Sequence, residues 1–400
     1  MPTAASAPRP HTLPRDATAR VQRAYAVSSL TTLAEIEEFA PQWREFERRS
    51  TRALFFQSCD WSLMACRVFA AQRGSAFEPL VLTVHHGGEL LAIAPFRIAQ
   101  RGLARIAIDI SDPFGQFGDL VIADGANVDA IVGEIMAGLH AVPDLDGLHM
   151  RRVRADSAVR EAILHHGGFA ASAPDAAPYV DLRPYAGFDD YLKTINAKSR
   201  KNLRNLRNRL SRVAPVSHRV YSGAEIREAI RQSFDGRLRW LDDHGVPSTA
   251  FADPAFRPFI KAVGERAAHG ELPLLAMGLH CGDVPVSLQW GFVQGGRYYA
   301  YIAARNPDYD AYSPGRLHMQ DVIQSCYERG IAVCDFLAPA ASYKLTWTDT
   351  ATEVVDVAVP FSLTGRLWLD LWNRRLRSAI KQRYAQLPLG LRRILRRVVG

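Results

Sequence analysis

The chain of 400 residues has few cysteines, no long apolar run and one basic stretch without a single acidic residue. Cys59, Cys66, Cys281, Cys326 and Cys334 are odd in number and lack the short paired spacings that bind zinc, which points to a reducing compartment. The twelve histidines form no ligand spacing with cysteine or carboxylate, so no metal is expected. Nowhere do about 18 apolar residues follow one another, so no segment is expected to cross a bilayer. Residues 1–20 are rich in Pro, Ala and Thr and lack the apolar core of a signal peptide. They read as a disordered lead on a cytoplasmic protein, peripheral to the inner membrane at most.

What is present is unevenly spread charge. The formal net charge is +8, yet residues 361–400 hold ten Arg or Lys against Asp370 alone, which leaves the preceding body at −1. A nearly neutral body argues against nucleic-acid binding over a whole domain face. The tail mixes Leu367, Leu371, Leu376 and Ile380 with Trp368, Trp372 and many arginines, the pattern of a basic amphipathic helix that lies in an anionic lipid interface.

The second basic element runs from Lys198 to Arg212, with seven basic residues and no acid. Leu192, Ile195, Ser199, Leu203, Leu206, Leu210 and Val213 recur three or four apart, which predicts one helix with one buried face. The cations fall on the remaining arc, an electropositive wall suited to an anionic cofactor or glycan.

Along the body, Tyr25–Leu30 reads as a strand, Thr32 and Glu35 have the spacing of a helix-capping box, and Asp60 suits the cap of a second helix. The stretch from Pro79 to Ala99 alternates, pauses at Gly87 and Gly88, and alternates again, as a hairpin does. "PLVLTVHHGGE" (Pro79–Glu89) lies over "PLLAMGLHCGD" (Pro273–Asp283) at a constant offset of 194 residues, and the neighbouring order of elements recurs. Two similar α/β lobes are expected, at residues 21–175 and 176–360, with residues 361–400 as a helical tail and Ala171–Pro178 as the linker.

The segment richest in chemistry is Gly295–Trp347. An aromatic strand leads through a polar loop to Ser313-Pro314-Gly315 and a helix. A helix N-terminus offers unpaired N–H groups, Gly315 permits close backbone approach, and Arg316 adds a full positive charge, which together make a phosphate cradle. Asp335 in an apolar strand is costly unless paired or functional, and it is the first candidate for a general base. Tyr343 is a candidate acid, Lys344 a candidate phosphate or carboxylate ligand, and His318, one turn into the helix, a further candidate. Trp240, Gln289 and Trp290 are candidates for an acceptor groove, because aromatic faces suit sugars.

Four stretches carry a family resemblance: "NAKSRKNLRNLRNRL", "ARNPDYDAYSPGRLHMQDVI", "CDFLAPAASYKLTW" and, in the first half, "DPFGQFGDLVI". In their order they resemble the CelD/BcsL-type acetyltransferases, double-GNAT-fold proteins related to the Fem-type peptidyltransferases. The resemblance spans Tyr25–Val359 and is strongest over Tyr191–Trp347. It implies an α/β (α+β) fold of two tandem GNAT-like lobes, each a mixed central sheet flanked by helices. It also implies acyl transfer from acetyl-CoA or another acyl-CoA to an amine or hydroxyl, in bacterial envelope or exopolysaccharide pathways. The acceptor would be a small molecule or glycan. In this fold the splayed fourth strand meets the thioester and the next helix holds the pyrophosphate, which assigns Tyr301, Ile302 and Ala303 to the first part and Ser313, Gly315, Arg316 and Leu317 to the second. "SPGRL" departs from the usual Gly-x-Gly loop. Fem relatives use aminoacyl-tRNA, so tRNA is an alternative donor, and a non-catalytic scaffold subunit of a polysaccharide-synthesis complex is the alternative outside enzymology.

Overall fold

A computed structural model describes residues 25–370, 383, 384, 386–388 and 390–392. The lead at residues 1–20 and most of the basic tail lie outside the described residues. The first half runs β1 (Tyr25–Leu30), α1 (Leu33–Arg49), α2 (Cys59–Arg73), β2 (Glu78–His86), β3 (Glu89–Arg101), β4 (Ala104–Asp109), β5 (Val121–Ile122), α3 (Val128–His140), β6 (Gly147–Arg154), α4 (Ala158–His165) and β7 (Phe169–Ala170). The second half runs β8 (Asp175–Asp181), α5 (Phe188–Thr194), α6 (Ala197–Ser211), β9 (Val216–Val220), α7 (Ala224–Asp243), α8 (Thr249–Ala252), α9 (Phe256–Ala268), β10 (Leu274–Cys281), β11 (Val284–Gln294), β12 (Arg297–Arg305), α10 (Pro314–Glu328), β13 (Val333–Asp335), β14 (Ala351–Pro360) and α11 (Leu363–Arg366).

The two halves repeat one topology. In the first, β1, β2, β3 and β4 are successively antiparallel, β4 is parallel to β6, and β6 is antiparallel to β14. In the second, β9, β10, β11 and β12 are antiparallel, β12 is parallel to β13, and β13 is antiparallel to β8. The second half thus supplies β14 as the last strand of the first half's sheet, while β8, which opens the second half, closes its own. Strands β8 and β14 also pair with each other, so all fourteen described strands join in one sheet. The second half of the expected linker, from Asp175, is therefore part of a central strand. Ala177 and Pro178 are buried there, small and apolar at a crowded seam.

Thr32 and Glu35 form the capping box reciprocally. The second helix is capped by Ser58, whose side chain accepts from Trp61 N, while Asp60 in its first turn pairs with Arg44 and Arg266. The single helix expected from Leu192 to Val213 is two. Ile195 is extended at ψ 137°, and Asn196 caps α6 by accepting from Lys198 N. Leu203, Leu206 and Leu210 are buried as the periodicity requires, whereas Val213 lies beyond the helix and is exposed.

An aromatic core locks the lobes together. Phe55 stacks on Phe292 at 4.0 Å, Trp61 meets Phe259 edge-on at 4.8 Å, and Phe114 stacks on Phe256 at 4.8 Å. Each such buried ring contributes about 1.5–3 kcal/mol, which makes the interface a shared core rather than a hinge. The beginning of the tail docks on the first lobe, where Leu369 is buried with Ile106, Ile108 and Ala358 beside Trp368. No helix among the described residues is long and apolar enough to cross a membrane.

Candidate active site

The site starts where two parallel strands part. Strand β12 pairs with β13 at three positions only, ending at Tyr299 and Asp335, while its ladder to β11 continues to Arg305. From Ala300 onward, the edge of β12 that faces β13 has no strand partner, which leaves backbone N–H groups free to donate. Tyr301 is the extra residue of a bulge opposite Trp290 and Gly291, and a bulge bends its strand. Gly291 is required there, because a Cβ would lie 1.9 Å from the Tyr299 carbonyl oxygen. On the other side the chain turns away at Leu337, which has a φ of 61°.

Behind the splay stands the N-terminus of α10. Ser313 has a left-handed φ of 49° and its side chain caps nothing, Pro314 opens the helix, and the first turn holds no acid. A Cβ at Gly315 would meet nothing within 4 Å. Arg316 makes no ion pair or side-chain hydrogen bond among the described residues. Leu317 is fully buried and fixes the helix. Of the expected cradle amides only that of Gly315 is without a backbone acceptor among the described residues, since Ser313 N donates to the Asp310 carbonyl, Arg316 N and Leu317 N donate to the Ser313 carbonyl, and Pro314 has no N–H. The equivalent helix of the first lobe is closed: Asn127 caps α3 by accepting from Ala130 N, and Asp129 occupies its first turn. The wall predicted from α6 stands beside the cradle, with Arg209 lying 5.6 Å from the ring of Tyr312. Lys198, Lys201, Arg204, Arg209 and Arg212 are exposed, whereas Arg207 pairs with Asp321.

On the strand, Ala303 is exposed and Ile302 is buried in the interlobe core. The half-buried Tyr301 donates to the Phe114 carbonyl at 2.8 Å, so the "DPFGQFGD" loop of the first lobe reaches the splay.

The other candidates are dispersed. Asp335 is fully buried, and its Oδ2 accepts from Arg297 at 2.8 Å and Arg154 at 3.3 Å while Oδ1 accepts from Leu337 N at 2.9 Å. Burial holds its pKa above the ordinary carboxylate value, against the pull of Arg297 and Arg154. With both oxygens engaged it is a clamp on the base of the splay, not a free base. Lys344 is buried and braces the turn by donating to the Leu337 and Pro339 carbonyls, each at 2.8 Å. Burial lowers its pKa to about 8, with Asp335 opposing. Tyr343, its neighbour, is exposed.

His318, expected at the site, lies entirely in the layer between α10 and the sheet. Its Nδ1 is 3.0 Å from Ser287 Oγ, and burial drives its pKa well below the usual histidine value. Trp290 and Gln289 are core residues rather than groove walls, since Trp290 donates to the buried Ser233 at 2.8 Å and Gln289 faces the α10 layer. Trp240 is half-buried, stacked on His244 at 4.5 Å with Arg237 at 4.4 Å over its ring.

Sequence reasoning missed the arginines. Arg152 and Arg154 reach the interlobe region from β6, Arg237 from α7 and Arg297 from β12. The signal was available in "HMRRVR", three arginines in a strand otherwise fit for the core. A cavity of about 830 Å³ between the lobes is lined by Arg52, Arg154, Asp156, Arg297 and Tyr299 on the far side of the Asp335 clamp.

His218 on β9 shares the buried polar layer, with Nε2 2.9 Å from Ser325 Oγ and its ring centroid 5.6 Å from that of His318. Burial, then the charge of Arg207, lowers its pKa to about 4. A histidine depressed in the folded state takes up its proton on unfolding, so its contribution is present above about pH 6.5 and is lost as pH falls toward 4. Between pH 7 and pH 4.5 the wild type is expected to lose about 2–3 kcal/mol more stability than His218→Gln, measured by urea unfolding at each pH. Equal losses in the two proteins would show that His218 is not the group responsible.

Two lobes of one topology, a bulged fourth strand splaying from its parallel neighbour and an open helix N-terminus behind it define the GNAT class. The family described as an acetyltransferase (GNAT) domain matches residues 197–345, so the second lobe carries a GNAT acetyltransferase domain. Among solved structures the chain is similar to FemX, at 9% identity and a TM-score of 0.57, covering 85% of this chain and 98% of that one. It is also similar to the C-terminal domain of a protein described as a lysylphosphatidylglycerol synthetase from Agrobacterium fabrum, at 13% identity and a TM-score of 0.50 over 85% and 96% of the two chains. A tandem GNAT protein from the clavulanic acid biosynthesis pathway aligns at 11% identity and a TM-score of 0.49 over 84% and 99%. No curated protein matches the sequence.

Proposed function

We propose that the second lobe is an acyltransferase that moves an acetyl or related acyl group from a CoA thioester to an amine or hydroxyl. The observation that carries this reading is the N-terminus of α10 beside the splay, acid-free and without a side-chain cap, with Arg316 unpaired among the described residues and the basic face of α6 alongside. In this reading the diphosphate rests against the open Gly315 amide and the Arg316 guanidinium, and the thioester lies along the edge of β12 from Ala300 to Ala303. Freed N–H groups there stabilise the oxyanion as the acceptor adds, a role worth about 3 kcal/mol. Collapse of the adduct breaks the C–S bond, and the exposed Tyr343 supplies the proton to the leaving thiolate. The amine or hydroxyl loses its proton to solvent or to a group of the acceptor, because Asp335 is engaged with two guanidiniums.

The acceptor enters from the interlobe side, and the CelD/BcsL resemblance makes a glycan or envelope-related molecule part of the proposal. Peripheral attachment to an anionic membrane would fall to residues beyond 370, since Trp368 and Leu369 pack on the protein's own first lobe. A second reading, an aminoacyl-tRNA donor, draws on the exposed cations of α6.

Thermal unfolding with and without CoA esters tests the proposal, because a ligand bound by the folded form raises its stability by mass action. Acetyl-CoA at about 100 times its Kd is expected to stabilise the wild type by about 2.7 kcal/mol, and Arg316→Ala is expected to need at least tenfold more ligand for the same shift. Absence of any shift with acetyl-CoA and longer acyl-CoAs would overturn the donor. Stabilisation by tRNA instead would favour the second reading, and by neither would favour a scaffold.

A further inference from the structure

Away from the splay, three metal-ligating side chains meet on the surface of the first lobe. Asp129 stands in the first turn of α3, His165 is the last residue of α4, and His166 is that helix's C-terminal cap. Asp129 Oδ1 lies 2.7 Å from His165 Nδ1 and 3.4 Å from His166 Nε2, and one donor atom from each of the three lies within 4.8 Å of the other two. No short spacing in the sequence announces the group, because Asp129 and His165 are 36 residues apart.

The fold brings them together. Val159, Ala162 and Ile163 of α4 share a core with Ile131, Val132 and Ile135 of α3, which holds the two helices against each other. Gly133, one turn on from Asp129, makes the seat for the second imidazole: a Cβ there would lie 2.9 Å from His166 Cε1. His166 Nε2 is also 3.0 Å from the Asp129 carbonyl oxygen, so this nitrogen is turned toward the start of α3. An exposed ion pair of Asp129 with His165 contributes little by itself and engages one histidine. Two imidazole nitrogens converging on one carboxylate oxygen supply what a single cation takes.

We infer that Asp129, His165 and His166 form a binding site for a divalent transition metal of the zinc class, which staples α3 to α4. Two imidazoles and one carboxylate suit zinc, nickel or copper, whereas magnesium and calcium take all-oxygen shells. Metal–ligand bonds of about 2.0–2.2 Å in a tetrahedron set the donor atoms roughly 3.3–3.6 Å apart. The edge from Asp129 to His166 already has that length. The edge from Asp129 to His165 opens as a hydrogen bond gives way to two metal bonds, and the edge between the histidines closes from at most 4.8 Å. The side chains of Asp129 and His165 are 51% and 73% exposed, which leaves them room for these shifts. Each imidazole binds in its neutral form with its proton on the other ring nitrogen, and water fills the remaining position. The inference is independent of the donor assignment, since none of the three residues belongs to β12 or α10.

Calorimetric titration of the untagged full chain, stripped of metal with a chelator and dialysed, tests it, with zinc chloride as the probe and magnesium chloride as the all-oxygen control. One zinc per chain is expected to bind and to raise the unfolding temperature, and magnesium is expected to do neither. His165→Gln and Asp129→Asn, both at exposed positions and checked for folding by circular dichroism, are expected to weaken zinc at least about tenfold and to abolish the thermal shift, and His166→Gln is expected to do the same. His269→Gln is expected to bind zinc as the wild type does, because that exposed histidine stands alone on the second lobe with its Nδ1 2.8 Å from the Glu265 carbonyl oxygen. The five cysteines are buried and offer no competing surface site.

No zinc bound at one equivalent, binding unchanged in both His165→Gln and Asp129→Asn, the same weakening in His269→Gln, or magnesium bound as tightly as zinc would each overturn the site. Zinc binding without a rise in the unfolding temperature would remove the staple. If His166→Gln fails to fold, the two exposed variants decide the matter by themselves.

Discussion

Asp335→Asn is expected to lower the stability of the full chain by about 3–5 kcal/mol in urea unfolding, the scale for removing one partner of a buried ion pair. The carboxylate is 0% exposed and its oxygens accept from Arg297, Arg154 and Leu337 N. An amide of the same shape turns an N–H₂ toward one of these donors and leaves Arg297 without an acid. Arg154 retains Asp156, at 2.7 Å, which softens the loss on its side. The alternative reading, in which Asp335 is the general base, makes a different forecast: a stable Asp335→Asn protein with turnover alone reduced. Near-wild-type stability in this variant would therefore return Asp335 to the list of bases and remove the clamp from the account.

The consequence reaches the site because the clamp lies at the last rung before the strands part. Tyr299 and Asp335 are the final pair of the parallel ladder, and Arg154 ties that rung to the first lobe. Loss of the clamp would let the splay widen or zip. Catalysis by preorganised backbone donors tolerates little of either, since about 1 Å of misplacement costs on the order of a hundredfold.

Much of this was legible in the chain. The hairpins at residues 79–101 and 273–294 announced themselves because alternation and glycine turns are local, and their offset of 194 residues exposed the repeat. The start of α10 at Ser313–Pro314 was legible for the same reason, since helix starts are written in a few consecutive residues. What escaped depended on contacts between distant segments. The return of β14 to the first half's sheet could not be read, because the pairing of Val354–Pro360 with Gly147–Arg154 leaves no local mark. Ala171–Pro178 looked like a linker because small residues and proline suit a loop and a crowded seam equally. Trp290 looked like a groove wall until Ser233, 57 residues away, proved to take its N–H. His318 repeats that lesson: helical spacing gives its place on α10, but only packing against Ser287 shows which face is inward.

The contrast between the two lobes yields the sharpest test of the donor site, Gly315→Asp. The first lobe closes its equivalent helix with Asn127 and an acid, Asp129, in the first turn; the second leaves α10 without either. A carboxylate at residue 315 finds open space, so the fold bears no steric cost. It also suits the helix, because an acid near the N-terminus stabilises by about 0.3–1 kcal/mol and replacing glycine removes unfolded-chain entropy. The same charge faces the phosphates of an incoming CoA and repels them. The variant is therefore expected to unfold at a temperature equal to or above that of the wild type while binding acetyl-CoA at least about a hundredfold more weakly, roughly 2.7 kcal/mol. Unchanged acetyl-CoA affinity in a well-folded Gly315→Asp protein would mean that the diphosphate rests elsewhere, and the donor side of the site would have to be redrawn around another helix.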